Sequence, residues 1–474
     1  MLFCSQAFFL FFIAVFAVYW LLPWPRGRVW LLLAASFYFY ATWSRWLALL
    51  VCGSTVIDYT IARVLERSTS PRLRKALTTL SIAANLALLA YFKYANFFLG
   101  SLDQLLASAG VRVGFPVVHV LVPIGISFYT FEAISYVVDV YARRIRAERS
   151  LPNFMLFILF FPHLMAGPIV RARDFLPQVG RRKHWQPARI ELGACYVLLG
   201  MFKKLAIADR MAFYSDAVFA QPTIYSSAAA WMATIAYALQ VYCDFSGYSD
   251  MAIGTAHLLG YKLAPNFNLP YMAANISEFW RRWHISLSSW LRDYLFIPLG
   301  GSRRGAWRTD RNLLIVMTLG GLWHGANWPF VAFGCLHGFW LILHRRFRSW
   351  SQNRRRLDYL LGSGPGTAVR IASTFFCFCM TLVVFRSATF RDAGYMFDHL
   401  FRARTGAQVP LDPAGFWCTL LLVAVCQLFA FNGRWPSIWR RLPAPVFGCG
   451  CAAMLIAAIM LAPPAGKAFI YFQF

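Results

Sequence analysis

The sequence predicts an all-α polytopic membrane protein, and three observations carry that prediction. Hydrophobic residues make up 59% of the 474-residue chain, charged residues only 14%, and the mean hydropathy is +0.52. A soluble chain carries about a quarter charged residues. The apolar residues also gather into runs, and a helix of roughly 20 such residues crosses about 30 Å of hydrocarbon. The basic residues, finally, fall in short connectors, where Lys and Arg set topology and meet anionic lipid head groups.

The first run, Leu2 to Leu22, has no basic residue before it and Arg26 and Arg28 after it. That polarity is opposite to a secretory signal, and no small-residue cleavage site follows. It is expected to be a retained span with its N-terminus outside the cytoplasm, which places the loop bearing Arg63, Arg67, Arg72, Arg74 and Lys75 inside. Further apolar segments cover 29–41, 46–64, 76–99, 115–140, 151–168, 190–209, 226–242 and 248–260, then 277–300, 312–324, 328–344, 368–388, 414–431 and 446–463. Several are too short to cross alone, and 151–168, 277–300 and 312–344 are interrupted by Pro, Gly or charge. Non-helical backbone survives at membrane depth only when buried in protein or lining a cavity. About eleven true spans are therefore expected, with re-entrant or in-plane helices around a central cavity. No soluble domain or repeat interrupts the chain, so 1–474 reads as one membrane-embedded domain, with loops over 346–366 and 400–413.

A formal net charge of +27 does not make this a nucleic-acid binder. The charge is dispersed among connectors, as Arg143, Arg144 and Arg146, Arg181 to Lys183, Arg303 and Arg304, and Arg354 to Arg356, where membrane lipids are the expected partners. The eleven cysteines form no C-x-x-C, and no His/Cys set has zinc spacing, so no metal site is expected. They read as small hydrophobes in a helix bundle.

The segment Ser277 to Leu299 reads as one helix, capped by Ser277 with Glu278 in its first turn. Trp280, Trp283, Leu287, Trp290, Leu291 and Tyr294 recur at steps of three and four as an apolar stripe. Arg281, His284, Ser288 and Arg292 fall on another face. So polar a helix is expected at the interface or in a hydrated cavity, its arginines suited either to an anionic donor or to lipid phosphates.

His324 follows the apolar run Leu313 to Trp323 and precedes Gly325-Ala326-Asn327-Trp328-Pro329. The chain is expected to break there. An ionisable side chain at such depth is costly and points to function, and a buried neutral imidazole is suited to accept a hydroxyl proton. The alternative is a structural histidine bonded to the carbonyls of a broken helix. His163, in a Pro/Gly-broken stretch, and His337, one helix beyond His324, are weaker candidates. Asp244 and Asp250 belong to a polar island between apolar runs, where carboxylates pair with arginine or cap broken helices.

Five motifs, in order, resemble those of the membrane-bound O-acyltransferases, and within them the bacterial alginate O-acetyltransferase subgroup. They are Leu121-Val122-Pro123-Ile124-Gly125-Ile126-Ser127-Phe128-Tyr129-Thr130-Phe131-Glu132, His163-Leu164-Met165-Ala166-Gly167-Pro168, Asp244-Phe245-Ser246-Gly247-Tyr248-Ser249-Asp250, Glu278-Phe279-Trp280-Arg281-Arg282-Trp283-His284, and Gly321-Leu322-Trp323-His324-Gly325-Ala326-Asn327. The likeness runs from the first span to about residue 345, with the motif core at about 115–345.

The resemblance implies a ring of tilted helices around a central tunnel in a bacterial inner membrane. It implies His324 and His284 as catalytic residues; Arg281, Arg292, Asp293, Trp323, Asn327 and His337, near them in the sequence, are expected to bind substrate. It also implies an acyl thioester donor, acetyl-CoA or similar, entering from the cytoplasm, a glycan hydroxyl acceptor outside, and periplasmic acetyltransferase or polysaccharide-modifying partners. No tightly bound cofactor is expected, because the thioester already carries an activated acyl group. A transporter and a noncatalytic scaffold of a secretion complex are the alternatives.

Overall fold

The computed structural model describes residues 3–117, 123, 125–165, 167–435, 438, 441–463 and 469–470. Leu121, Val122 and Ile124 of the first motif, and Ala166 of the second, lie outside the described residues. The architecture is all-helical, and the one extended pairing among the described residues is an isolated bridge between Tyr225 and Ala407. Four helices, Arg45–Arg67, Pro71–Ser108, Gly364–Arg386 and Pro413–Phe431, are long and apolar enough to cross a membrane. The chain forms two compact units: residues 1–197 with 251–264, and residues 198–250 with 265–474.

In the first unit, two of those four helices share a buried polar contact. Asp58 of Arg45–Arg67 accepts hydrogen bonds from Ser81 Oγ at 2.5 Å and Asn85 Nδ2 at 2.9 Å on Pro71–Ser108. The Arg74 guanidinium is buried and ties off helix ends, donating to the carbonyls of Leu65 and Tyr141. Arg74 therefore satisfies orphan C-terminal carbonyls in addition to any part in topology. Phe8, Phe39 and Phe161 form an aromatic core, and the N–H of Phe161 donates to Ser36 Oγ at 3.0 Å.

The expected gap between segments 226–242 and 248–260 does not exist, because a single helix, Ser227–Leu258, most of it in the second unit, runs through the polar island. Lysines from the π-helical turn Phe202–Ala208 make this possible. Lys204 Nζ lies 2.6 Å from Asp244 and 2.7 Å from Asp209, and Lys203 Nζ lies 2.6 Å from Asp250. The partners are lysines where arginine was expected. The backbone N–H of Ile470 also donates to Asp244 at 2.7 Å, so one carboxylate holds both a lysine and the chain near its C-terminus. Removing one member of a buried ion-pair network leaves an uncompensated charge and costs about 3–5 kcal/mol. Asp244→Ala is thus expected to lower the thermal midpoint of the purified protein in detergent by several degrees, whereas an unchanged midpoint would exclude this network as a source of stability.

Helices Ala306–His324 and Trp328–Ser351 form an antiparallel hairpin of very close approach. A Cβ at Gly321 would overlap the carbonyl of Phe330, and one at Gly334 the carbonyl of Met317. Small residues let helix backbones meet in this way. The second helix continues to Ser351, and Arg355–Gly362 is helical, so most of the expected 346–366 loop is helix.

Candidate active site

The hairpin places His324. Its first helix ends on that residue, Gly325 is fully extended, and the second helix begins at Trp328 with Pro329 in its first turn, where the missing N–H is not needed. The expected break is therefore three residues long, Gly325 to Asn327. His324 is only 5% exposed. Its ring meets Trp323 at 5.1 Å, Phe385 at 5.3 Å and Phe333 at 5.9 Å between centroids, each edge to face. Asn327 lies at the mouth of the break, and its Nδ2 donates to the Ala388 carbonyl at 3.3 Å.

The segment expected as one helix from Ser277 to Leu299 is two short helices, Ile276–Arg282 and Ile285–Leu291, and a π-helical turn, Arg292–Phe296. Asn275 rather than Ser277 caps the first, its Oδ1 accepting from the N–H of Glu278 at 2.8 Å. His284 is the hinge between them, at φ +41°, ψ +56°. A non-glycine residue in this left-handed region costs about 1–3 kcal/mol and marks a position held by its surroundings. The break also separates the face drawn from helical spacing: His284 is completely buried while Arg281 and Arg292 are exposed.

Asn266 holds the hinge. Its side-chain oxygen accepts from the backbone N–H of Ser286 at 3.2 Å and from Ser286 Oγ at 2.9 Å, and its backbone carbonyl accepts from the N–H of Ile285 at 2.9 Å. The backbone donor fixes the orientation of the amide. His284 Nδ1, 3.1 Å from the same oxygen, is then the protonated nitrogen, and the neutral ring carries its lone pair on Nε2. Sequence reasoning passed over Asn266, because nothing in Pro265-Asn266-Phe267-Asn268 marks it.

Trp323 brings the two histidines together. Its ring lies 5.6 Å from that of His284 and 5.1 Å from that of His324, so one indole packs against both imidazoles. Phe245 closes the far side of His284 at 4.6 Å, and Phe469 packs on Phe245 at 5.7 Å and on Tyr248 at 4.5 Å. Two imidazoles from separate segments thus share a buried aromatic enclosure, an arrangement suited to moving a proton.

The remaining candidates divide. Asp293 accepts from Arg292 Nε at 2.8 Å. His337 is fully buried with both nitrogens committed: Trp280 Nε1 donates to Nδ1 at 3.3 Å, and Nε2 lies 3.0 Å from Thr381 Oγ1, whose own proton goes to the Phe378 carbonyl. It ties together three helices. His163 belongs to the first unit, where its Nδ1 lies 3.3 Å from Glu132 Oε1 and Glu132 also accepts the N–H of Val170 at 2.8 Å.

The sequence model of the membrane-bound O-acyltransferase family matches residues 7–385, a stretch that contains the hairpin, the hinge and both histidines. The chain belongs to that family. This acyltransferase is accordingly an enzyme acting on hydroxyl groups and a multi-pass membrane protein. It is 46% identical over 352 residues to the probable alginate O-acetylase AlgI of Azotobacter vinelandii, covering 73% of this chain and 69% of that one. To the probable alginate O-acetylase AlgI of Pseudomonas aeruginosa it is 41% identical over 446 residues, covering 92% and 82%. To the peptidoglycan O-acetyltransferase of Helicobacter pylori it is 39% identical over 347 residues, covering 68% and 64%. By name, these similar proteins O-acetylate alginate or peptidoglycan.

Proposed function

We propose that this enzyme transfers an acetyl group from a cytoplasmic thioester, acetyl-CoA or a similar donor, for O-acetylation of an exported polysaccharide. The acceptor is alginate-like or cellulose-like, reached directly or through a periplasmic acetyltransferase. The observation that carries the reading is the enclosure of His284 and His324 around one tryptophan within the family's matched region. About eleven spans of a bacterial inner membrane, with the broken hinge and hairpin segments in the plane or re-entrant, would form the ring and tunnel through which donor and acceptor meet.

In this reading His324 accepts the proton of the attacking hydroxyl as its oxygen bonds to the thioester carbonyl carbon. The tetrahedral adduct collapses with loss of the thiolate, which takes up the proton from His324. His284, oriented by Asn266, has its Nδ1 proton committed and so serves through the Nε2 lone pair, accepting a hydrogen bond from a donor group of the substrate in a site with little water, where fixed dipoles act strongly. Trp323 walls the enclosure and Asn327 stands at its mouth. No cofactor enters any step. Arg281 and Arg292, exposed on either side of the hinge, meet the phosphates of the donor.

The test uses purified enzyme in vesicles with labelled acetyl-CoA and a deacetylated alginate oligosaccharide. Acetyl ester on the glycan, or on a periplasmic partner supplied with it, is the expected product, and its absence with every acceptor tried would overturn the reading. Arg281→Ala with Arg292→Ala is expected to raise the donor concentration for half-maximal rate about tenfold, the equivalent of about 1.4 kcal/mol. An unchanged requirement in the folded variant would remove these arginines from donor recognition.

A further inference from the structure

We propose that the cavity flanked by the helices Trp328–Ser351 and Gly364–Arg386 and by the start of Ile276–Arg282 is a binding site for the phosphate head group of an anionic phospholipid. The cavity encloses about 910 Å³. Trp340, Leu343 and Phe347 line it from one side, Leu361 and Val369 from another, and Arg348 and Arg370 provide its charge. Leu343, Phe347 and Val369 are 46%, 43% and 65% exposed, so the apolar wall opens to the surroundings as a surface for acyl chains.

The cations are not neutralised from within. Ion pairs in this region go to Arg282, Arg345 and Arg346. Among the described residues none reaches Arg348 or Arg370, and the cavity lining contains a single carboxylate, Asp358. Arg370 is held in place by donating from Nη1 to the Leu361 carbonyl at 3.1 Å. His344, also in the lining, lies within the field of Arg348, Arg370 and Arg281. Two guanidinium groups beside an apolar wall fit a phosphate carried on an aliphatic body, because the guanidinium fork bonds phosphate oxygens in pairs.

Position supports a lipid as the source of that phosphate. Gly364–Arg386 is a candidate span; its residues between Val369 and Cys377 line the cavity, and Arg354, Arg355 and Arg356 precede it. Basic flanks mark the cytoplasmic end of a span, and the cytoplasmic leaflet is where anionic head groups gather in basic pockets between helices.

The experiment takes the full chain, delipidated in neutral detergent, adds phosphatidylglycerol or phosphatidylcholine, and counts retained lipid by native mass spectrometry. Wild type is expected to retain phosphatidylglycerol in preference to phosphatidylcholine. Arg348→Gln with Arg370→Gln is expected to lower that retention about tenfold, while the exposed pair Arg355→Gln with Arg356→Gln leaves it intact. If the double variant does not fold, Arg348→Gln alone carries the test, since its side chain is exposed and makes no ion pair among the described residues. Equal retention in wild type and variant, or equal loss in the control pair, overturns the site. A raised acetyl-CoA requirement with phosphatidylglycerol retention unchanged assigns the cavity to the donor's phosphates and also overturns the lipid.

Discussion

Replacing His324 by alanine leaves the enzyme inserted and folded but lowers acyl transfer by about 10²–10⁴-fold, the usual contribution of a positioned general base. The expectation rests on where the side chain sits. His324 is the last residue of its helix, it is nearly inaccessible, and its ring is bounded by Trp323, Phe333 and Phe385. None of these neighbours can take a proton at neutral pH, and His284, the other imidazole of the enclosure, is fixed at its own hinge by Asn266, so the lost imidazole is not replaced. The hairpin is joined by the close backbone approach at Gly321 and Gly334, to which the imidazole does not contribute. His324→Gln keeps the volume and a hydrogen-bonding end but has no basic nitrogen, so it is expected to be as inactive as His324→Ala. The measurement is acetyl ester formed per folded protein, with folding checked by size-exclusion profile and thermal midpoint. Wild-type turnover in both variants would refute the general-base role. An activity regained in His324→Gln alone would mean that His324 acts by holding a hydrogen bond rather than by accepting a proton.

Much of this site was legible in the sequence, and the reason is local. A histidine at the end of an apolar run, followed by Gly325 and then by Trp328-Pro329, specifies a helix stop and restart in a handful of residues. The break beside His324 and the burial of its side chain followed from that stretch alone. The hinge did not, because the spacing of Trp280, Trp283, Leu287 and Trp290 continues through His284 as though one helix ran on. What interrupts that helix is tertiary: Asn266, eighteen residues earlier, takes the N–H of Ser286 and bonds the imidazole. Asp244 and Asp250 misled in the opposite direction. Carboxylates between apolar runs read as a gap, yet the helix continues because Lys203 and Lys204 neutralise them from another turn. Local chemistry thus announced the features made by Gly and Pro, and concealed those made by long-range pairing.

Asn266→Ala is expected to lower transfer about 10²-fold without touching either histidine, which makes it the sharper test of how the hinge works. In the wild type one amide oxygen serves three donors, the N–H and hydroxyl of Ser286 and Nδ1 of His284. Alanine leaves the Ser286 N–H without that acceptor in a buried place, at about 1–3 kcal/mol. It also releases the imidazole from the single tautomer that puts its lone pair on Nε2. A left-handed histidine is strained by itself, so the hinge is expected to relax once its anchor is gone, with His284 drifting from the Trp323 face it shares with His324. Loss of stability alone would reduce the amount of folded enzyme but leave the turnover of the folded fraction unchanged. The measurement is therefore turnover normalised to folded protein, taken beside Ser249→Ala. That variant removes the 3.3 Å contact on the amide nitrogen side of Asn266 and leaves the oxygen's bonds in place, so it is expected to keep most of the activity. If Asn266→Ala retains wild-type turnover per folded molecule, or if Ser249→Ala loses as much, the amide does not set the tautomer of His284, and the hinge is a feature of packing rather than of catalysis.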